Sequence, residues 1–344
     1  MNEAFFNYKL PPDLIAHRPS PNREESRLMV IHRNSGKIEH RVFKQIITYL
    51  GPEDTLVLNN TKVMKARFFG QKKTGAKIEI FILSEHEPNV WKCLIKPAKR
   101  VKAGDQIVIG EDLSAVILHK DIEPGHHLVT FQSVKPDLPY ILDQYGLTPL
   151  PPYIHPPDEL DGRFLEERYQ TVYARQRGSV AAPTAGLHFS NPLLQAIRTQ
   201  GTGIEEVTLH VGSGTFQPVA ESIDDHVMHA ETYHVSRETA DHLNDDYKQK
   251  KRIVGVGTTS ARTLETIFDG QSFQAGSGET RLFIYPGYTF KALGALVTNF
   301  HLPRSSLLLL VAAFMGTELA QEAYRTAIQE RYRFYSFGDA MLII

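Results

Sequence analysis

A chain of 344 residues is long for a single hydrophobic core, so two domains are expected. Its composition, 42% apolar and 22% charged with one cysteine, Cys93, excludes a disordered chain, an internal disulfide and a thiolate-rich zinc or iron–sulfur site. The net charge of −1 predicts no general affinity for nucleic acid.

The chain shows no sign of membrane insertion or export. Residues 1–7 lack the basic and apolar regions of a signal peptide. The longest apolar run, residues 307–315, is far shorter than the roughly 20 residues that a membrane-spanning helix needs. Together with the single cysteine, these features predict a cytoplasmic protein that does not bind a membrane.

Basic residues concentrate between Lys62 and Lys102, where eleven Lys or Arg residues stand against three Glu. This window carries about +8 and the remainder about −9, an asymmetry that predicts a local surface for a polyanion. Basic residues that merely decorate the exposed face of a sheet would give the same pattern.

Short strand-like runs fill the stretch from residue 63 to residue 131, and no convincing helix occurs there. Turn residues such as Gly75, Pro88 and Gly104 separate the runs, which lie at 78–83, 90–95, 106–109, 115–118 and 127–131. This spacing predicts a small antiparallel barrel or sandwich. The Pro-rich stretch at 149–157 cannot sustain a helix or a central strand, and it is interpreted as a domain connection.

Strands and helices alternate in the second half. Asn191 followed by Pro192 predicts a helix start, and Gly201 predicts its end. Further helices are expected after Ser236, from Ser260 and over 318–330, with strands at 207–211, 253–256, 283–285 and 295–298. The alternation predicts an α/β domain, a mixed, barrel-like sheet with flanking helices, over residues 1–62 and 150–344. Residues 63–149 would then form a smaller, inserted antiparallel β-barrel domain.

A strand, a glycine turn and a helix start meet at Gly255-Val256-Gly257-Thr258-Thr259-Ser260. Backbone N–H groups at a helix start attract anions such as carboxylate or phosphate, and Arg262 can pair with the same anion. Simple capping of the helix by a hydroxyl is the alternative interpretation. No Walker A loop and no complete G-x-G-x-x-G motif occur in the sequence.

Histidines are frequent in the second half, beside glycine, hydroxyl or carboxylate residues. His226 and His229 are spaced i, i+3, whereas a zincin site needs two histidines at i, i+4 on a helix, so a catalytic metal is not expected. A neighbouring carboxylate fixes the tautomer of a histidine and brings its pKa near neutral pH. Such surroundings favour acid/base chemistry over purely structural hydrogen bonding. The candidates are His188, His210, His226, His229, His234 and His301.

Two loops of small residues also stand out, one containing Thr184 and Gly186 and the other Gly212. Glycine allows a backbone to approach a ligand closely, although a tight turn explains it equally well. No G-x-S-x-G elbow occurs, so a hydrolase of the α/β class would lack its nucleophile.

Taken together, the motifs resemble the S-adenosylmethionine:tRNA ribosyltransferase-isomerase family of the queuosine pathway. The resemblance runs from Phe6 to Leu342. Departures are small, such as Phe337 where the family often has Tyr. The strongest stretches are Leu58-Asn59-Asn60-Thr61-Lys62-Val63, Ala182-Pro183-Thr184-Ala185-Gly186-Leu187-His188-Phe189, Gly257-Thr258-Thr259-Ser260-Ala261-Arg262 and Thr298-Asn299-Phe300-His301-Leu302-Pro303.

The resemblance implies an enzyme, a transferase that moves the ribosyl part of S-adenosylmethionine onto 7-aminomethyl-7-deazaguanine at the tRNA wobble position. Epoxyqueuosine in tRNA, adenine and methionine would be the products. S-adenosylmethionine is then a co-substrate, and no metal or other cofactor is expected. The implied partner is the tRNA that carries this base, and the protein is expected to be a monomer.

The resemblance also suggests roles for individual residues. Acid/base catalysis falls to His188, His210, His226, His229 and His301, with His188 and His229 the first choices. The α/β domain would bind substrate through Thr184, Gly186, Gly212, Gly257, Thr258, Thr259, Ser260, Arg262, Asn299, Phe300, Phe334 and Tyr335; the three aromatic residues would stack on a base unless they pack in the core. The tRNA-facing barrel and its edge would meet phosphates through Lys62, Arg67, Lys72, Lys96, Lys99 and Arg100.

Three other classes remain open from the sequence. A metal-dependent hydrolase would use His226 and His229 and would lose activity to a chelator. A non-catalytic RNA-binding protein accounts for the basic window but leaves the histidine-rich half without a role. A methyltransferase would add a methyl rather than a ribosyl increment to the tRNA.

Overall fold

The computed structural model describes residues 7–135, 137–151, 153–154, 162–212, 223, 226 and 228–344. The chain divides into two compact units, each with its own hydrophobic core. Unit 1 comprises Met1–Lys62, Pro151–Gln176 and Ala182–Ile344, and unit 2 comprises Val63–Leu150 and Arg177–Ala181.

The described residues contain strands and α-helices whose bounds are as follows. The strands are β1 Arg27–Ile31, β2 Ile38–Val42, β3 Asp54–Asn59, β4 Thr61–Val63, β5 Arg67–Lys72, β6 Lys77–Glu87, β7 Val90–Lys96, β8 Gln106–Val108, β9 Leu113–Glu123, β10 His126–Ser133, β11 Gln176–Ser179, β12 Gly203–Leu209, β13 Glu231–Val235, β14 Arg252–Val256, β15 Gly276–Thr280, β16 Ala295–Asn299 and β17 Ala340–Ile343. The helices are α1 Leu138–Tyr145, α2 Gly162–Arg168, α3 Asn191–Thr199, α4 Arg237–Lys248, α5 Thr258–Ile267, α6 Ser306–Met315 and α7 Thr317–Gln329.

A nine-stranded sheet organises unit 1, in the order β15-β13-β12-β3-β14-β16-β17-β1-β2. The four central strands β12, β3, β14 and β16 run parallel to one another. Every residue of β3 and β16 is buried, as expected for parallel strands covered on both faces.

Alternate residues of these strands face two different cores. Val57, Ile253 and Leu296 belong to the core that includes α4, α5, α6 and α7. Their immediate neighbours along the chain, Leu56, Val254 and Val297, belong to the core that includes α3 and the 3₁₀ helix Phe43–Tyr49. This period of two sends successive side chains to opposite faces, so helices cover the sheet on both sides.

Unit 2 is built around a closed antiparallel barrel of six strands, in the order β10-β7-β6-β5-β8-β9. Inward-pointing residues such as Phe68, Ile80 and Phe131 fill it. A closed barrel has no unpaired edge strands, which explains how about 90 residues of mostly strand form a stable unit.

The mixed α/β class and the inserted antiparallel barrel are confirmed. Ser236 caps α4 as predicted, whereas Ser190 rather than Asn191 caps α3, and α5 begins at Thr258, two residues before the predicted start. The strand predicted at 283–285 was wrong, because the chain there is irregular and the edge strand β15 lies earlier. Of the predicted Pro-rich connection, residues 152 and 155–157 lie outside the described residues.

No single helix in the described part of the chain is long and apolar enough to cross a membrane. The successive helices α6 and α7 pass that test only when they are taken together, and they are bent by 116° at the break between them.

Candidate active site

One edge of the nine-stranded sheet collects chain segments from six strands. The carboxyl ends of β12, β3, β14 and β16 lie at this edge because the four strands are parallel neighbours. Asn299 at the end of β16 lies opposite Ala340, and Ala340 lies opposite Leu28, so the segments that precede β17 and β1 reach the same edge. Ligands of open α/β sheets bind at the carboxyl ends of such strands.

His188 is held at this edge by two polar side chains. It ends the 3₁₀ helix Thr184–His188, and only 4% of its surface is exposed. Its Nδ1 lies 2.7 Å from Ser26 Oγ, and its Nε2 lies 3.2 Å from Asn299 Nδ2. The ring stacks on Phe43, with the ring centres 4.9 Å apart. His188 therefore has a fixed orientation beside the end of β16.

The hydrogen bonds also determine which nitrogen of His188 carries the proton. Asn299 Nδ2 donates to the carbonyl oxygen of Tyr335 at 3.0 Å, which fixes the amide so that its second N–H points at His188 Nε2. Nε2 is then the acceptor, and Nδ1–H donates to Ser26. Burial, followed by the positive charge of Arg333, lowers the pKa of His188 to about 3. His188 is consequently neutral at pH 7.

The turn before α5 forms a helix start next to this histidine-bearing segment. Gly257 adopts φ 90° and its N–H donates to the carbonyl of Val297 at 2.8 Å. A Cβ at Gly257 would lie 3.7 Å from Ala185 Cβ, so the turn and the 3₁₀ helix Thr184–His188 are in close proximity. Within the described residues no side chain caps this helix start, so the first N–H groups of α5 are available to an anion.

Arg262 forms a buried ion pair that uses one of its terminal guanidinium nitrogens. Its Nη1 donates to Glu231 Oε2, and its Nε donates to the carbonyl of Leu282 at 3.0 Å. Glu231 Oε1 in turn accepts from the N–H of Gly212 at 3.2 Å. The pair connects the second turn of α5 to the segment that carries His229, two residues before Glu231.

Three buried polar atoms of this edge have no hydrogen-bond partner within the described part of the chain. They are Arg262 Nη2, Thr259 Oγ1 and Asn299 Oδ1. Buried polar atoms are nearly always paired in folded proteins, so a group of unpaired ones indicates a ligand or water that they receive. Ser260 differs from them, because its hydroxyl donates to the carbonyl of Val256 at 2.9 Å within the helix start.

His210, which follows β12, and His301, which follows β16, are each anchored to a threonine side chain. His210 Nδ1 lies 2.8 Å from Thr61 Oγ1, and burial lowers the pKa of this half-buried ring. His301 Nε2 lies 2.7 Å from Thr298 Oγ1, and complete burial lowers its pKa to about 3. The backbone of His301 is bonded to Tyr324 and Tyr8, which ties it to the core.

His226 and His229 lie in the segment that leads into β13. The ring of His226 packs against Phe283 at 4.9 Å, and its pKa is lowered by burial and then by the nearby His229. His229 is exposed. Of the part of the chain that the structure describes, no three His, Cys, Asp or Glu side chains are grouped closely enough to hold a metal ion. Asp225, which directly precedes His226 in the sequence, lies outside that part.

The chain matches the family model described as queuosine biosynthesis protein over residues 3–343. It belongs to that family. Curated relatives include the S-adenosylmethionine:tRNA ribosyltransferase-isomerases of Thermotoga maritima, 52% identical, and of Staphylococcus haemolyticus, 51% identical. Both matches cover 100% of this chain and 100% of the relative.

A solved structure is similar to this member of the queuosine biosynthesis family over nearly its whole length. It is the S-adenosylmethionine tRNA ribosyltransferase from Thermotoga maritima, and the superposition covers 99% of this chain and 100% of that chain. The TM-score is 0.57, and 42% of the residues aligned by structure are identical.

The aromatic residues that were predicted to stack on a base are placed differently from one another. Phe300 and Phe334 are fully buried, 5.1 Å apart, and pack in the core with Tyr324. Their rings are already covered by other side chains, so this packing gives them a core position. Tyr335 is half-buried at φ 74° and stacks on Tyr153 with ring centres 4.5 Å apart.

The small-residue positions of the site also differ in their surroundings. A Cβ at Gly186 would lie 2.0 Å from the hydroxyl oxygen of Tyr173, so Gly186 is required by packing against this tyrosine. Gly212 has open space on that side, and Thr184 is half-buried at the start of its 3₁₀ helix. The remainder of the loop after Gly212, residues 213–216, lies outside the described residues.

Two of the six basic residues that were predicted to meet tRNA phosphates are paired within the barrel unit. Lys72 Nζ lies 2.5 Å from Asp105 Oδ2, and Arg67 Nε lies 3.3 Å from Glu79 Oε1. Lys62, Lys96, Lys99 and Arg100 are exposed. The exposed residues are the ones whose charge is available to a phosphate.

Several residues at the site edge were not predicted as site residues. Asn59 and Asn60 follow the buried strand β3, and their amides bond to Leu209 and to Glu206 and Thr208. Two polar residues directly after an apolar strand were the available signal. Ser26 and Glu231 gave no such signal, because their partners His188 and Arg262 lie far away in the sequence.

Proposed function

We propose that the protein transfers and isomerises the ribosyl part of S-adenosylmethionine onto a tRNA base, 7-aminomethyl-7-deazaguanine at the wobble position. The products are epoxyqueuosine in tRNA, adenine and methionine. The observation that carries this proposal is 52% identity, across the full length of both chains, to a protein named S-adenosylmethionine:tRNA ribosyltransferase-isomerase. The match therefore covers both unit 1 and unit 2, rather than one domain alone.

The helix start of α5 is the proposed binding site for the methionine part of S-adenosylmethionine. Its carboxylate would accept from the first N–H groups of α5 and from Thr259 Oγ1, which is buried without a partner in the described chain. Arg262 Nη2 is also unpaired there, while Glu231 neutralises the rest of the guanidinium. Charge-assisted hydrogen bonds of this kind are roughly twice as strong as neutral ones.

The transfer needs a base, an acid and a nucleophile. The sulfonium acidifies the C5′ protons, and a base removes one of them. Adenine then leaves, which protonation of its ring assists. The aminomethyl nitrogen of the tRNA base bonds to C1′ in place of adenine and loses a proton, and the bond from C1′ to the ring oxygen breaks. The C5′ carbanion then bonds to C1′, and the ring oxygen, now an alkoxide, displaces methionine from C5′ as the epoxide closes.

The histidines divide between these roles according to their surroundings. His188 has a pKa near 3 and both ring nitrogens bonded, which makes it a weak base. We assign it to orienting substrate together with Asn299, whose Oδ1 is an unused acceptor in the described structure. Proton transfer is assigned to His210 and His229, because His210 is half-buried and His229 is exposed, so both rings are accessible to a substrate.

No metal or redox cofactor takes part in this proposal, and S-adenosylmethionine is consumed as a co-substrate. We further propose that the protein acts as a monomer in the cytoplasm. The exposed basic residues of the barrel and its margin, Lys62, Lys96, Lys99 and Arg100, are assigned to tRNA phosphates.

The decisive experiment incubates the protein with S-adenosylmethionine and tRNA that carries the aminomethyl base. Free adenine and a ribosyl mass increment on the tRNA are expected, in equal amounts. A methyl increment would instead indicate a methyltransferase, and loss of turnover in a strong chelator would indicate a metal-dependent enzyme. Binding of both substrates without adenine release would contradict the proposal.

A further inference from the structure

The outer surface of the barrel carries a continuous face across strands β8, β5, β6 and β7. Gln71 pairs with Val108 on one side and with Lys77 on the other. Phe69, two residues earlier on β5, pairs with Glu79, and Glu79 pairs with Lys96. Because residues two apart on a strand share a face, Phe69, Lys77, Lys96 and Val108 all point outward together.

Two large apolar side chains lie exposed on this face. Phe69 is 53% exposed and Val108 is 47% exposed. They line an open groove of about 820 Å³ together with lysine side chains. This volume falls within the range of about 300–1,000 Å³ that is usual for ligand-binding clefts. An exposed aromatic ring in a concave surface marks an interaction site more often than a scattered apolar residue does.

Three of the four lysines that line the groove form no ion pair within the described part of the chain. Lys73, Lys77 and Lys96 are exposed, and no carboxylate lies within 4.0 Å of their ammonium groups in the described part of the chain. The acidic residue of the groove, Glu79, is neutralised by Arg67, and Lys72 is neutralised by Asp105. The face therefore presents three uncompensated positive charges around one exposed aromatic ring.

We propose that this face, defined by Phe69, Lys73, Lys77, Lys96 and Val108, binds an unpaired segment of the tRNA substrate. The Phe69 ring stacks on a base, and the three lysines contact the phosphates on either side. The proposal rests on the proposed function only in taking tRNA as the substrate. Phosphate contacts alone do not distinguish single-stranded from paired RNA. With Phe69, the barrel would recognise single-stranded RNA specifically.

The combination of groups favours an unpaired strand over other occupants. In a duplex the base faces are covered by neighbouring bases, so an exposed phenylalanine has nothing to stack on. A single strand offers both a base face and a phosphate within one nucleotide, which is the pairing of features found on this surface. The positive charge of the groove disfavours a second copy of the same face, because like charges would meet.

The first test compares Phe69→Ala with the matched variant Tyr140→Ala, which removes another exposed aromatic ring, 58% exposed, from α1 of the same unit. Binding is measured by fluorescence anisotropy with an anticodon stem–loop RNA and with a fully paired RNA of equal charge. Phe69→Ala should weaken stem–loop binding about five- to a hundredfold, as expected for one lost base stack. Phe69→Tyr should restore it, and Tyr140→Ala should leave it unchanged.

The second test separates stacking from charge. The double variant Lys77→Gln, Lys96→Gln should reduce the slope of log affinity against log salt by about 1.4, since each phosphate contact on a single strand contributes about 0.7. Phe69→Ala should weaken binding without changing that slope. Lys135→Gln, whose lysine is paired with Asp112, is the control for general charge loss.

Three outcomes would overturn the inference. Phe69→Ala could bind the stem–loop as tightly as the wild type does, or the paired RNA could bind equally well and depend equally on Phe69. Self-association that is abolished by Phe69→Ala would assign the face to a second copy of the chain.

The same samples keep this inference separate from the proposed reaction. If wild-type protein releases adenine while Phe69→Ala retains its KM for tRNA, the reaction stands and the binding face fails. If wild-type protein releases no adenine but loses stem–loop affinity on Phe69→Ala, the binding face stands and the reaction fails.

Discussion

At the scale of one residue, removing the hydroxyl of Thr259 should have opposite effects on folding stability and on ligand affinity. Its Oγ1 is buried and has no partner in the described chain, and an unsatisfied buried hydroxyl costs about 1–3 kcal/mol. Thr259→Val keeps the side-chain shape and removes this hydroxyl. We expect the free energy of unfolding to rise by about 1 kcal/mol and S-adenosylmethionine affinity to fall roughly three- to tenfold.

Thr263→Val is the matched control for this prediction. Thr263 lies one turn later in α5, and its hydroxyl donates to the carbonyl of Thr259 at 3.0 Å inside the helix. Its loss should lower stability slightly and leave affinity unchanged. Calorimetric titration and urea denaturation measure the two quantities. Equal affinity of Thr259→Val and wild type would remove Thr259 from the binding site.

The sequence predicts single residues well where a local pattern exists and poorly where two distant segments meet. Thr258 and Thr259 were found because a glycine turn and a helix start surround them. The pairing of Arg262 with Glu231 could not be anticipated, because the two residues are 31 positions apart and neither has a local signature. The bond between His188 and Ser26 spans 162 positions and is equally a product of the folded sheet edge.

At the scale of elements, the turn into α5 depends on the backbone conformation of Gly257. Its φ of 90° and ψ of 155° lie in a region that is essentially restricted to glycine and that costs other residues about 1–3 kcal/mol. Gly257→Ala should therefore lose about this much stability. It should also lower kcat/KM about tenfold or more, because a shift of the turn misplaces the first N–H groups of α5.

Gly270→Ala provides the comparison, since Gly270 has φ 99° with no atom within 4 Å of an added Cβ. It should show a similar loss of stability in urea denaturation while kcat/KM remains at the wild-type level. If Gly257→Ala and Gly270→Ala affect kcat/KM equally, the helix start has no special role in the reaction.

Elements with a periodic pattern and a cap were predicted closely, and elements without one were not. The cap at Ser236 gave α4, and apolar runs gave β14 and β16. Helix α6 was recognised only as the longest apolar run, because it is apolar on almost every side and shows no helical period. The order of nine strands was out of reach, because β3 pairs with β12 and β14, which are about 150 and 200 residues away.

At the scale of the whole molecule, burial of neutral histidines makes stability depend on pH. His188 and His301 have folded pKa values of about 3, against an ordinary value of 6.5. Between these values the unfolded chain binds protons that the folded protein does not bind. Stability therefore rises with pH across this window and is lost as the pH falls from 6.5 toward 3.

Each of the two histidines should contribute up to about 1.4 kcal/mol per pH unit in this window. Urea denaturation followed by circular dichroism, at pH values of about 5.0, 5.5, 6.0 and 6.5, measures the slope of the free energy of unfolding against pH. Most carboxylates remain ionised in this range. His301→Gln removes one titrating ring, so its slope should be smaller than that of the wild type by about this amount, whatever its absolute stability. A slope identical in both proteins would show that His301 takes up its proton in the folded state, and the assignment of a neutral, core-bound His301 would then be wrong.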